Sequence, residues 1–126
     1  MSVAVTNPAT RALEAVLGVL ADAGIDASRD AGAFYPQPVG VLVGLPAMTR
    51  RGLSSRSYEL AVLVVSGDPL NSSPAVDRLY YLADDVAGAL RVDQYAPSSW
   101  RSSVNAEPLP AVELTAVITV TETEGG

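Results

Sequence analysis

The sequence predicts a single α+β domain, one mixed or antiparallel sheet with two helices packed on one face, in the order helix, strand, strand, helix, strand, strand. Three observations lead there. Two segments repeat their apolar residues at helical spacing, several β-branched runs read as strands, and turn-formers rich in proline and glycine separate them. At 126 residues the chain suits one domain, spanning residues 1–126, that can bury a core without disulfides or metals.

The first helix is read from "TNPATRALEAVLGVLADAGI". Asn7 is its N-cap, Pro8 its first helical residue and Gly24 its stop. Leu13, Val16, Leu17 and Leu20 recur at i, i+3, i+4 and i+7, which sets them on one inward stripe. The next stretch, "DASRDAGAFYPQP", carries Pro36 and Pro38 and reads as an extended connector.

"VGVLVGL" (39–45) and "YELAVLVV" (58–65) follow as neighbouring strands of a hairpin around a long polar loop. In the second run Leu60, Val62 and Val64 alternate with Ala61, Leu63 and Val65, so both faces are apolar, as in a strand covered on both sides. Two helices cover one face of a small sheet well and the other poorly. The expectation is that a second chain supplies the other cover, through Ala61, Leu63 and Val65, with Tyr81 as a further subunit contact.

"SGDPLNSSP" is a turn with Ser73 and Pro74 as the second N-cap and N1 pair. The helix it starts, "AVDRLYYLADDVAGAL", carries Val76, Leu79, Ala83, Val86 and Leu90 at alternating spacings of three and four. A polar stretch leads to "AVELTAVITVT". There Val112, Leu114, Ala116, Ile118 and Val120 point one way and Glu113, Thr115, Thr119 and Thr121 the other. "WRSSVNAE" is expected to pair with it through a turn at Pro108 and Pro110, with Trp100 as edge anchor, and residues 122–126 to fray. The expected core is Leu17, Leu20, Val62, Val64, Leu79, Val86, Leu114 and Ile118.

The inventory of reactive groups is narrow. Cysteine, histidine and lysine are all absent and the eight cations are arginines. This excludes disulfides, thiolate chemistry, the usual neutral-pH proton shuttle and a Schiff-base amine. Neither an enzyme nor a cofactor is expected. Asp84 and Asp85 are adjacent on a helix, roughly 100° apart, so they do not converge on one metal or substrate atom. A net charge of −6 argues against general nucleic-acid binding, which depends on dense cationic contacts. With no signal-like start and no long apolar run, the protein is expected to be soluble, made in the cytoplasm and without membrane contact.

Charge is nevertheless polarised. Residues 31–58 carry +3 from Arg50, Arg51 and Arg56, and the rest of the chain −9. Two readings remain open: a solvated loop, or a contact surface for an acidic partner or for DNA passing nearby. On the second reading Arg50, Arg51, Leu53 and Arg56 form the partner interface.

The assembly of "ALEAVLGVLADAGIDASRDAGAFYPQPVGVLVGLP", "YELAVLVVSGDP", "AVDRLYYLADDVAGAL" and "NAEPLPAVELTAVITVT" resembles the tail terminator proteins of long-tailed, siphovirus-type actinobacterial phages. The resemblance is architectural and spans nearly the whole chain. It implies a structural virion protein, a hexameric ring that caps the tail tube and forms the head-tail joining surface. The implied partners are other copies of itself, the major tail tube protein and head-completion or connector proteins, with DNA close by in the lumen, in the neck of a virion assembled in host cytoplasm. The alternatives are a neighbouring head-tail connector or neck protein and, from another class, a small cytosolic α+β ligand-binding domain with a pocket between sheet and helices.

Overall fold

Two helices and six strands build the chain in the computed structural model, which describes residues 7–32, 34, 36–50, 55–69, 72–101 and 107–121. Helix α1 (Pro8–Asp22) begins where the Asn7 side chain accepts the Ala9 N–H at 2.8 Å. It ends in a paired closure: Ile25 N–H donates to Leu20 O at 2.8 Å and Gly24 N–H to Ala21 O at 2.9 Å. Gly24 has a φ of 80°, the left-handed turn that this closure needs and that glycine adopts without strain.

Helix α2 (Ser73–Leu90) starts one residue earlier than the sequence suggests. Ser72 is the cap, accepting the Ala75 N–H, and Pro74 is the second helical residue. That position is still among the first-turn donors that have no helical acceptor, so the missing proline N–H removes nothing. Ser72 Oγ also donates to Asp68 Oδ2 at 2.7 Å, which fixes the cap from the preceding turn. The helix closes as α1 does, with Val92 N–H on Ala87 O, but Arg91 takes the left-handed position at φ 56°.

The strands are β1 (Ala27–Ser28), β2 (Val39–Val43), β3 (Ala47–Arg50), β4 (Ser55–Ser66), β5 (Ala96–Trp100) and β6 (Leu109–Thr121). They form one mixed sheet in the order β1-β2-β4-β6-β5, with β3 also paired to β4. Only β1 and β2 run parallel among the described pairs. The fold class is therefore the expected α+β sheet with two helices, with β1 and β3 as additions to the predicted order.

Alternate strand residues decide the layers. Val41, Val43, Tyr58, Leu60, Val62, Val64, Val112, Leu114 and Ala116 join Ala12, Leu13, Val16, Leu20, Leu79, Ala83 and Val86 of the helices in one core. Of the expected core residues, Leu17 and Ile118 are only partly buried at its margin, and Ala12 takes the inward place beside Leu13. Burying each large apolar side chain here stabilises by roughly 1.5–3 kcal/mol before entropy is subtracted.

The edge strand also differs from expectation. The described strand beside β6 is Ala96–Trp100, with Trp100 opposite Leu109, so it begins four residues before the expected 100–107. β5 carries Pro97 and is an edge strand, where a proline can turn its missing donor toward solvent. Residues 102–106 lie outside the described residues.

Candidate functional site

Between β2 and β3 the chain makes a bulge. Val43 stands opposite Val62 and Ala47 opposite Glu59, so Gly44, Leu45 and Pro46 face only Leu60 and Ala61. One extra residue has entered the ladder. Gly44 N–H still donates to Ala61 O at 2.8 Å, and a Cβ on Gly44 would stand 3.2 Å from that oxygen, so the close approach suits glycine. Leu45 is left 86% exposed. The predicted strand 39–45 thus ends at Val43, and the expected polar loop is largely a second rung of strand.

The bulge changes which face β3 presents. Side chains alternate along a strand, so one inserted residue reverses the sides of everything after it. Met48 stands opposite Tyr58 and Arg50 opposite Arg56. Tyr58 belongs to the helix-side core, and so Met48 and Arg56 are on the helix side as well. The structure brings Arg50 and Arg56 together as a register pair. Arg51 and Leu53 lie outside the described residues.

Cover on this side thins along β4, β6 and β3. Leu60 and Tyr58 are buried, Arg56 and Val120 half-buried, and Met48 is 50% exposed. At about 3.3 Å per residue, the twelve residues of β4 reach about 40 Å, against about 22 Å for the fifteen of α1. The strands outrun the helices, leaving an arm of β3, β4 and β6.

The other face of the sheet has two unlike ends. At one, Gly40, Val65, Ala111 and Ser98 share a row. Phe34 approaches Gly40 so closely that a Cβ there would meet its ring at 2.8 Å, and Phe34 meets Trp100 edge to face at 5.1 Å. Two aromatic rings therefore cap this end, and Val65 is 0% exposed. That corrects Val65 as a subunit contact: the chain covers it itself. At the other end Leu63, Ala61 and Glu59 stand opposite Glu113, Thr115 and Val117. Leu63 and Ala61 are half-buried, both glutamates and Thr115 exposed, and Val117 is 53% exposed. Tyr81, 74% exposed, projects from α2 on the opposite side of the sheet, so the expected subunit contacts form two surfaces. Glu59, Val117 and Met48 were missed as surface features. Their signal is the strand alternation, readable for β6 from the sequence but not for β3 without the bulge.

β6 has an open edge too. β5 pairs with it only through Glu113, so among the described residues Leu114–Thr121 has no strand on its β5 side. An open concavity of about 700 Å³ lies beside it, lined in part by Arg91, Asp93, Tyr95, Glu113 and Val117. Tyr95 OH donates to Asp84 Oδ1 at 2.6 Å, tying the segment after α2 back to the helix. That hydrogen bond, with desolvation and the nearby carboxylate charge, raises the Tyr95 pKa above its usual value. Asp84 is thus engaged by Tyr95, while Asp85 is exposed one position further round the helix.

The described space between sheet and helices is filled by core side chains. Among the described residues no group of three or more His, Cys, Asp or Glu could hold a metal ion, and no helix is long and apolar enough to cross a membrane. The sequence matches no protein-family model and no curated protein.

Proposed function

We propose that this protein is a structural virion component, a tail terminator that closes into a ring on the tail tube and forms the head-tail joining surface. The observation that carries this reading is a pair of unlike surfaces on opposite sides of one fold. The open end of the sheet presents Leu63 and Val117, and α2 presents Tyr81 across the sheet. A contact between unlike patches repeats from copy to copy, and it generates a ring when the rotation closes. The architectural resemblance adds the expected sixfold copy number, the tail tube and head-completion partners, and a place in the virion neck with no cofactor or catalytic step.

The arginine hairpin supplies the contact to an acidic partner. It gathers Arg50, Arg51 and Arg56 in a chain otherwise rich in acids, and a ring would repeat that charge around its axis. Weak contacts engaged together multiply in effect.

The test is complementation of a phage whose own copy of this gene is disrupted. Wild type restores joined virions of regular tail length. The triple variant Arg50→Ser, Arg51→Ser, Arg56→Ser stays folded by circular dichroism but leaves heads and tails apart. Regular, joined virions in the absence of the protein would sink the proposal. A monomer that binds a small ligand saturably would favour the ligand-binding alternative.

A further inference from the structure

We propose that the open edge of β6 takes an extended segment of a partner protein as a further strand, held through the main chain of Thr115, Val117 and Thr119 and rich in uncharged β-branched residues. The edge belongs to the sheet itself, so this docking stands apart from the tail role.

The ladder shows which groups face outward. In an antiparallel pair a residue either exchanges both main-chain bonds with its opposite or turns both groups away. Ala61 O accepts Gly44 N–H at 2.8 Å, toward β2 and β3, and Gly67 N–H, at a position of the same parity, donates to Pro38 O at 2.7 Å. Ala61 is thus turned away from its opposite, Thr115, and Thr115 in turn points its N–H and C=O away from β4. The ladder of β4 with β6 runs unbroken, so Glu113, Val117 and Thr119 share that direction. β5 answers this row at Leu109, Ala111 and Glu113, where Trp100, Ser98 and Ala96 stand opposite. Pro97 fits the same assignment, because it stands opposite Val112, in the row that bonds β4, and owes β6 no donor. From Thr115 onward the outward row continues, with no strand to meet it among the described residues.

Unpaired main chain along a strand selects another strand. There is room for one. The open concavity of about 700 Å³ lies beside this edge, with Leu90, Val92, Thr115 and Val117 in its lining. Leu90, Val92, Ile118 and Val120 are only partly buried at the margin of the helix-side core, so an added strand would cover them with apolar side chains. On the opposite face Thr115, Val117 and Thr119 are exposed, a row that β-branched cross-strand neighbours suit. Charge does not choose the occupant, because Arg91, Asp93 and Glu113 put both signs in the lining. The segment that fits is therefore extended, uncharged where it pairs, and β-branched on both of its rows.

The experiment uses the purified full chain and a synthetic peptide of alternating threonine and valine, with an arginine at each end for solubility, read by amide hydrogen exchange in NMR. In the free protein the N–H groups of Thr115, Val117 and Thr119 are expected to exchange fast, and those of Ala116 and Ile118, turned to β4, slowly. Saturating peptide should slow the first set by about tenfold or more and leave the second unchanged. Two further copies of the peptide carry N-methyl groups, one on its threonine nitrogens and the other on its valine nitrogens. Only one of these sets can face β6, so one copy keeps binding and the other loses it. Val117→Pro removes a donor at the edge without touching the ladder to β4, and should abolish the protection in a chain that stays folded by circular dichroism.

Slow exchange at all three edge positions in the dilute free chain overturns the proposal, since a segment of the chain itself then holds the edge. Protection that grows with protein concentration in the absence of peptide overturns it in favour of a second copy. No protection up to the solubility limit of the peptide, or equal binding by the two methylated copies, overturns it as well. If Val117→Pro does not fold, the methylated pair on wild type decides.

Discussion

Val65 and Leu63 are two residues apart on the same face of the same strand, yet Val65 is fully buried and Leu63 only half-buried. The difference lies in what crosses above them. Over Val65 the row is built from Gly40, Ala111 and Ser98, small enough for Phe34 and Trp100 to lie close, and the rings meet at 5.1 Å. Over Leu63 no such pair is placed among the described residues, and its neighbour Glu113 is exposed. A strand apolar on both sides is thus completed partly within the chain and partly left open. The open part is where a partner gains most, since apolar surface already covered has little more to give.

The comparison can be broken at several points. The largest effect is expected in the core on the helix side, where Leu79 is buried: Leu79→Ala should destabilise by roughly 2–5 kcal/mol, measured by thermal or denaturant melts. Next comes the capped end. Trp100→Ala removes one ring of the pair and should destabilise by roughly 2–3 kcal/mol, below the 3–5 typical of a fully buried tryptophan. Amide exchange around Val65 and Ala111 should quicken while that around Leu60 does not. If Trp100→Ala melts like wild type, the two ends do not differ in the way described.

At the open end, Leu63→Ser should change monomer stability by no more than about 0.5–1 kcal/mol, yet reduce self-association in sedimentation. A large loss of stability would mean that Leu63 is already covered. The smallest effect concerns Tyr95 beside that face. Its pKa is raised, first through the hydrogen bond to Asp84. The contact therefore contributes fully below the ordinary tyrosine value and is lost as pH rises through the raised one. Asp84→Asn should bring the Tyr95 titration back toward its ordinary value, read by NMR, without altering association.

Much of the fold was legible because its signals are local. Asn7 with Pro8, Gly24, the stripes of both helices and the alternation of Val112 through Val120 each depend on spacing within a few residues. The second cap slipped from Ser73 to Ser72 because two adjacent serines offer the same chemistry, and the turn bond to Asp68 helps hold Ser72 in place. The start of the edge strand at Ala96 was not legible because a strand can hold Pro97 only where it has no second neighbour, which is a property of the sheet.

The sequence by itself determined the α+β class, the two capped helices, the apolar strands and the concentration of arginine between residues 50 and 56. Only the tertiary structure decided which side of the sheet Met48 and its strand β3 turn to the helices. Strand alternation has a period of two, so a single inserted residue exchanges the sides, and whether Gly44, Leu45 and Pro46 oppose two residues or three is settled by pairing with β4. The same holds for the burial of Val65. It depends on Phe34 and Trp100, sixty-six positions apart in the sequence, meeting over one end of the sheet, and no local pattern in the chain records that encounter.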